Sequence, residues 1–158
     1  MDPTLFTDDW KEFLELLNSK RVKYLLIGGL AVILHGYVRA TKDMDVWVQN
    51  TTANIARLKK VLVSFGFREL AEAIGKKMAN REVRFIGKLP YRIDVISGLS
   101  GLTFSTAYKN RIMKRLEDLD VPMASLNDLL KNKVAAGRFK DLADAEALER
   151  LRDLRKSH

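Results

Sequence analysis

The stretch "YLLIGGLAVILHGYVRATKDMDVWV", Tyr24 to Val48, decides the fold of this 158-residue chain. Val22 to Ile27, apolar almost throughout, reads as a buried strand, and it stops at Gly28-Gly29. Leu30 to His35 suits a short helix closed by Gly36, and Asp43 to Gln49 reads as a second strand. Side chains alternate along a strand. Asp43 and Asp45 therefore share one face, while Met44, Val46 and Val48 share the other, which turns to a core. Carboxylates are poor strand formers. Two of them on one strand face, after a strand ending in two glycines, point to a constraint other than packing.

Outward from that stretch, Trp10, Phe13, Leu14, Leu16 and Leu17 recur at helical spacing over residues 8–19, with Thr7 or Asp8 as the cap. Asn50-Thr51-Thr52 opens a helix with Ile55, Leu58 and Leu62 on its apolar stripe, closed by Gly66. Arg81 to Ile86 and Tyr91 to Ile96 are β-rich and joined by Gly87-Lys88-Leu89-Pro90, which predicts an antiparallel hairpin. Phe104 to Arg115 is expected to be helical and Leu119 to Ala124 a short strand. Ser125 is the expected cap of a helix over Leu126–Ala136, with Asp128 at its third position and Gly137 at its end. Lys140 to Arg155 is the last helix. The expected architecture is α/β (α+β), a mixed sheet covered by helices. It forms one domain over 1–158, with a core over 20–124 and a C-terminal helical pair over 125–156.

Composition narrows the chemistry. At 47% hydrophobic and 30% charged residues, the chain can bury a real core. It has no cysteine and two histidines, His35 and His158, so neither a thiolate site nor a histidine-rich zinc site is expected. Met1 to Asp9 carries acids rather than a basic leader, and the longest apolar run is far short of a membrane span. A cytoplasmic protein with no membrane partner is expected. The net charge is +8, and residues 57–92 hold ten Lys/Arg against three Asp/Glu, a local excess of +7. Such a surface either favours a polyanion such as RNA or is simply a solvated basic face.

A third carboxylate, Asp94, lies in Tyr91-Arg92-Ile93-Asp94-Val95-Ile96, again flanked by apolar residues. Three carboxylates brought close repel one another, which a divalent cation relieves. With oxygen ligands alone, that cation is Mg²⁺ or Mn²⁺. Three carboxylates suffice for two ions, roughly 3.5–4 Å apart in such sites. A Gly-Gly turn between strand and helix lets backbone approach phosphate. Taken singly, an Asp-x-Asp is usually a polar strand face and a Gly-Gly usually a tight turn. Taken together and in this order, they are the parts of an in-line nucleotidyl transfer, with one aspartate as general base.

These residues resemble the nucleotidyltransferases of the DNA polymerase beta superfamily. Ile27-Gly28-Gly29, a thirteen-residue spacer from Leu30 to Lys42, Asp43-Met44-Asp45 and the later Asp94 follow that superfamily's signature. The wording is most similar to the small bacterial and archaeal branch grouped with AbiEii-type toxins. "SLNDLLKNKVAAGRFKDLADAEAL", Ser125 to Leu148, resembles the ending of that branch. The resemblance implies catalytic and metal-binding Asp43, Asp45 and Asp94, with nucleotide-binding Gly28, Gly29, Arg39, Lys42, Lys133, Arg138 and Lys140. In it Lys133 reaches the triphosphate, and Asp141 and Asp144 cap or orient the last helix pair. His35 reads better as a packed or capping histidine than as a base. Trp47 shares the face of Asp43 and Asp45, as a cleft wall or a ring for a base to stack on.

The expected activity is transfer of NMP from an NTP to a hydroxyl acceptor. By resemblance and basic charge the acceptor is RNA, a tRNA 3′ end being the leading choice, as for a toxin with an antitoxin protein partner. Two alternatives stand beside it: a small-molecule, antibiotic-type nucleotidyltransferase, and a non-catalytic RNA- or protein-binding module on the same fold. Only the last two helices are available to bind an acceptor, which leaves room for a second subunit in a homo-oligomer.

Overall fold

The computed structural model describes residues 6–37, 39–87 and 90–156. Among them six strands form one mixed sheet: β1 (Tyr24–Ile27), β2 (Asp43–Val48), β3 (Val83–Ile86), β4 (Arg92–Ile96), β5 (Ile112–Leu116) and β6 (Leu119–Met123). Their order across the sheet is β3-β4-β2-β1-β6-β5. β1 runs antiparallel to β2 and parallel to β6, while β2 and β4 are parallel. β3 and β5 are the edges, each antiparallel to its neighbour.

Among the described residues seven helices accompany this sheet: α1 (Asp8–Ser19), α2 (Gly28–Leu34), α3 (Thr52–Ser64), α4 (Arg68–Ala73), α5 (Phe104–Lys109), α6 (Leu126–Ala136) and α7 (Phe139–Lys156). The class is α/β, as expected. The caps are those the sequence offers. Thr7, Thr51 and Ser125 each accept a bond from the backbone N–H three residues on, satisfying a donor the helix cannot. Gly137 ends α6 in the left-handed region, φ 68°, which a side chain would resist. Trp10, Phe13, Leu14 and Leu17 of α1 and Ile55, Leu58, Val61 and Leu62 of α3 are buried. With Leu25, Leu26, Met44, Val46 and Val48 of the central strands they build the core.

Two expectations need correction. Phe104–Arg115 is not one helix: α5 stops at Lys109, and Ile112–Leu116 is the edge strand β5. Phe104, Tyr108 and Ile112 do recur at helical spacing, but Ile112 pairs with Met123 across the β5–β6 hairpin instead. The hairpin turns through Glu117-Asp118 with Glu117 at φ 54°, a left-handed turn without the usual glycine signal. The short helix α4 was not expected. Lys88 and Leu89 of the expected hairpin turn, and His158, lie outside the described residues.

Candidate active site

The sheet brings the three aspartates together. Asp43 and Asp45 lie on β2 and Asp94 on β4, and the parallel register sets Asp45 directly beside Asp94. Asp94 is buried and Asp45 half-buried, and the register holds the two side by side. Burial first, and then the neighbouring Asp94 charge, pushes Asp45 up to about 7. Asp94 is raised as well, chiefly by burial. Asp45 and Arg92 offset this only in part. Of the three, Asp45 forms no ion pair with a cation among the described residues.

Gly28 makes that placement sterically feasible. It sits at φ 70°, and a Cβ there would lie 1.9 Å from Oδ2 of Asp45. The first residue of α2 and the aspartate of β2 are thus in contact, and only glycine fits. Gly29 is flanked differently: a Cβ would lie 3.0 Å from Oγ1 of Thr41 and 3.5 Å from the Arg39 guanidinium carbon. The Thr41 hydroxyl donates to the Asp43 carbonyl and accepts from its N–H, which fixes the start of β2.

A cleft of about 490 Å³ opens over the aspartates. It is lined by Asp43, Asp45 and Asp94, by the cations Arg81, Arg92, Arg138 and Lys140, and by apolar side chains including Val83, Phe85, Ile96 and Leu99. Arg138 reaches it from the turn between α6 and α7, and Lys140 from the first turn of α7. Gly28, Gly29, Arg39, Lys42 and Lys133 do not line it. Lys42 is exposed just before β2.

Lys133 stands behind the cleft. It is 7% exposed, with Nζ 3.4 Å from Asp141 Oδ1 and 3.2 Å from Asp144 Oδ2. Asp144 also takes Arg39 Nη1 at 2.7 Å. Asp141 takes Arg138 through Nε at 2.6 Å and Nη2 at 3.3 Å. Arg39, Asp144, Lys133, Asp141 and Arg138 thus form one continuous chain of charges from the spacer loop to the cleft. Burial would raise Asp141, but the bond from Arg138 and the Lys133 charge outweigh it and hold the carboxyl below its ordinary value. Lys133 would reach a triphosphate only by leaving both carboxylates.

Two aromatic expectations resolve. Trp47 is 1% exposed and packs edge-on against Phe104, ring centres 5.3 Å apart, so it stacks on no base. His35 is buried and bonds the Ala124 carbonyl through Nε2 at 3.0 Å, with Arg155 against its other nitrogen and its carbonyl. It is a packed histidine, and burial lowers its pKa.

The residue that sequence reasoning missed is Arg92. Its Nε lies 3.3 Å from Asp43 Oδ1 and 3.0 Å from Asp94 Oδ1, bridging the two strands. Strand alternation was a signal for it, since Arg92 stands two residues before Asp94 and shares its face. The donor set suits a hard divalent cation, with three carboxylates on adjacent strands, two of them in register and two already bridged by a cation. Among the described residues no three acidic or histidine side chains yet converge on one point, and Arg92 lies between two of these three.

Comparison with known proteins follows the same line. No protein of curated function matches the sequence. Solved structures do match. The lincosamide antibiotic adenylyltransferase LnuA, bound to lincomycin, aligns with a TM-score of 0.56 at 14% identity, over 92% of this chain and 98% of that one. The antibiotic-resistance factor ANT(2'')-Ia gives 0.56 at 14%, over 99% and 94%. A putative nucleotidyltransferase from Thermotoga maritima gives 0.50 at 13%, over 94% and 91%. These likenesses establish a shared fold. A family model described as "Nucleotidyltransferase of unknown function (DUF6036)" matches residues 10–154, nearly the whole chain. The chain belongs to this nucleotidyltransferase family.

Proposed function

We propose that the protein moves NMP from an NTP to a hydroxyl of an RNA acceptor, in a reaction dependent on Mg²⁺ or Mn²⁺. The observation that carries the reading is the in-register Asp45–Asp94 pair, with Asp43 beside it, in a cleft whose other charged residues are all cations. Asp43, Asp45 and Asp94 would hold two divalent ions, which when bound neutralise the triphosphate and lower the pKa of the attacking hydroxyl. The chain's own groups do the rest. Arg138 and Lys140 draw the triphosphate into the cleft, and Asp141 holds the Arg138 fork in place. Gly28 and Gly29 at the start of α2, with Arg39 at the head of the charge chain, support that phosphate side. One carboxylate of the Asp45–Asp94 pair takes the hydroxyl proton as the acceptor oxygen bonds to the α-phosphorus and pyrophosphate leaves.

RNA is favoured as acceptor because the cleft carries Arg81, Arg92, Arg138 and Lys140 and no carboxylate beyond the three aspartates. A cationic drug would meet repulsion there. A tRNA 3′ end and a toxin role with an antitoxin partner are the specific form of this reading. The test is incubation with each labelled NTP, Mg²⁺ or Mn²⁺, and total tRNA. Label on RNA that falls at least about a thousandfold in Asp43→Ala or Asp45→Ala supports it. Label on small hydroxylated acceptors alone moves the protein to the antibiotic-type class. No transfer to any acceptor and no metal-dependent NTP binding sinks the catalytic reading. Growth arrest on expression, relieved by a co-expressed neighbouring gene product, tests the toxin role.

A further inference from the structure

Arg92 is held at three points. Its Nε pairs with Asp43 at 3.3 Å and with Asp94 at 3.0 Å. Its guanidinium lies over the Phe85 ring, 4.3 Å from the centroid. Phe85 belongs to the edge strand β3, stands opposite Asp94 in register and is 59% exposed. Among the described residues, no other cation is ion-paired with Asp43 or Asp94.

We infer that Arg92 is a tethered counter-cation, occupying the place of a divalent ion between Asp43 and Asp94 and swinging off them when that ion arrives. The inference rests on reading these carboxylates as metal ligands. An ion such as Mg²⁺ needs carboxylate oxygen at about 2.0–2.1 Å. The guanidinium and the ion then contend for the same oxygens and repel each other over a few ångströms. Leaving is made easy by Phe85, whose exposed face keeps the guanidinium stacked as it turns outward. A displaced Arg92 has all five N–H donors available to phosphate oxygens. An ion arriving alone must evict the guanidinium uncompensated. An ion arriving with a triphosphate brings Arg92 a new partner. The residue therefore selects the metal–nucleotide complex over the free metal.

The probe is Mn²⁺ alone, followed by its paramagnetic resonance signal. Arg92→Gln is expected to bind Mn²⁺ roughly tenfold tighter than the wild-type protein. Arg92→Lys, which keeps the charge and loses the fork, is expected to fall between. Arg81→Gln makes the same charge change on the same cleft and is expected to stay within about twofold of wild type. Equal or weaker binding by Arg92→Gln overturns the inference while the metal reading stands, and so does equal tightening by Arg81→Gln. Absence of Mn²⁺ binding in both wild type and Arg92→Gln overturns both. If Arg92→Gln does not fold, the wild-type protein labelled with ¹⁵N-arginine carries the test, its Arg92 resonance assigned with Arg92→Lys. The Arg92 Nε–H is expected to exchange faster with water once Mg²⁺ and nucleotide are added. Unchanged exchange overturns the inference.

Discussion

Gly28 and Asp45 are one unit at the scale of single residues. The positive φ of Gly28 and the 1.9 Å approach of its absent Cβ to the Asp45 carboxylate are two separate demands on one position. Gly28→Ala meets a backbone cost of about 1–2 kcal/mol and also has to move Asp45 off its register partner. It should lower kcat by about a hundredfold while the melting temperature falls by only a few degrees, a split that steady-state kinetics and thermal melts resolve together. Asp45 also sets a pH dependence. Its carboxyl is pushed from an ordinary 3.8 up to about 7 by burial and by Asp94, so between those values the folded protein keeps a proton that the unfolded chain releases. Stability without divalent ions should therefore fall as pH rises from about 4 to 7 and stay low above that. Asp45→Asn should flatten this slope, melting higher than wild type at pH 8 in EDTA and no higher at pH 4, while transfer activity is lost. A steeper slope in Asp45→Asn would refute the account.

At the scale of elements, the α6–α7 pair is joined by charge as well as by apolar packing. Lys133 is enclosed by Asp141 and Asp144, and Arg138 and Arg39 complete the chain. Lys133→Met leaves two buried carboxylates short of a counter-charge, at a cost of about 3–5 kcal/mol. Denaturant melts should show that loss. A variant that keeps full stability and loses only NTP affinity would instead mean that Lys133 leaves its partners to meet the triphosphate. The elements also show what a sequence can display. The β1–α2–β2 unit was legible because Gly28-Gly29 and Asp43-Met44-Asp45 break their apolar runs at fixed spacing, and α6 because Ser125 and Gly137 bracket it. β5 was not legible. Phe104, Tyr108 and Ile112 fit one helical stripe, and nothing local announces the Glu117-Asp118 turn that folds Ile112 onto Met123. At the candidate site, the shared face of Asp43 and Asp45 was legible from alternation. The bridging role of Arg92 was not, because it depends on β2 and β4 lying side by side, which no local pattern encodes. Trp47 obeyed its alternation, yet α5 covers it, so the shared face did not make it accessible.

At the scale of the whole molecule, the basic excess lies in two places. Arg81, Arg92, Arg138 and Lys140 line the cleft, while Lys60, Lys76 and Lys77 are exposed and Lys59 partly so. If RNA tracks across the second group, neutralising Lys59, Lys60, Lys76 and Lys77 together should reduce the slope of log K against log salt by up to about 3, since each single-strand phosphate no longer neutralised lowers it by about 0.7. Filter binding over a salt series measures it, and an unchanged slope would remove that surface from the acceptor path. No helix among the described residues is long and apolar enough to cross a membrane. The sheet order has a kinetic consequence. Asp45 meets Asp94 through a parallel pairing whose connection contains α3, α4 and β3, and pairings closed over such a loop form late in folding. The carboxylate repulsion is then absent while the chain searches for its fold and arises only near the end. A bound divalent ion should therefore slow unfolding and leave the refolding rate unchanged, which stopped-flow traces with and without Mg²⁺ would resolve. Loss of the ion would then shorten the lifetime of the native state without hindering its formation.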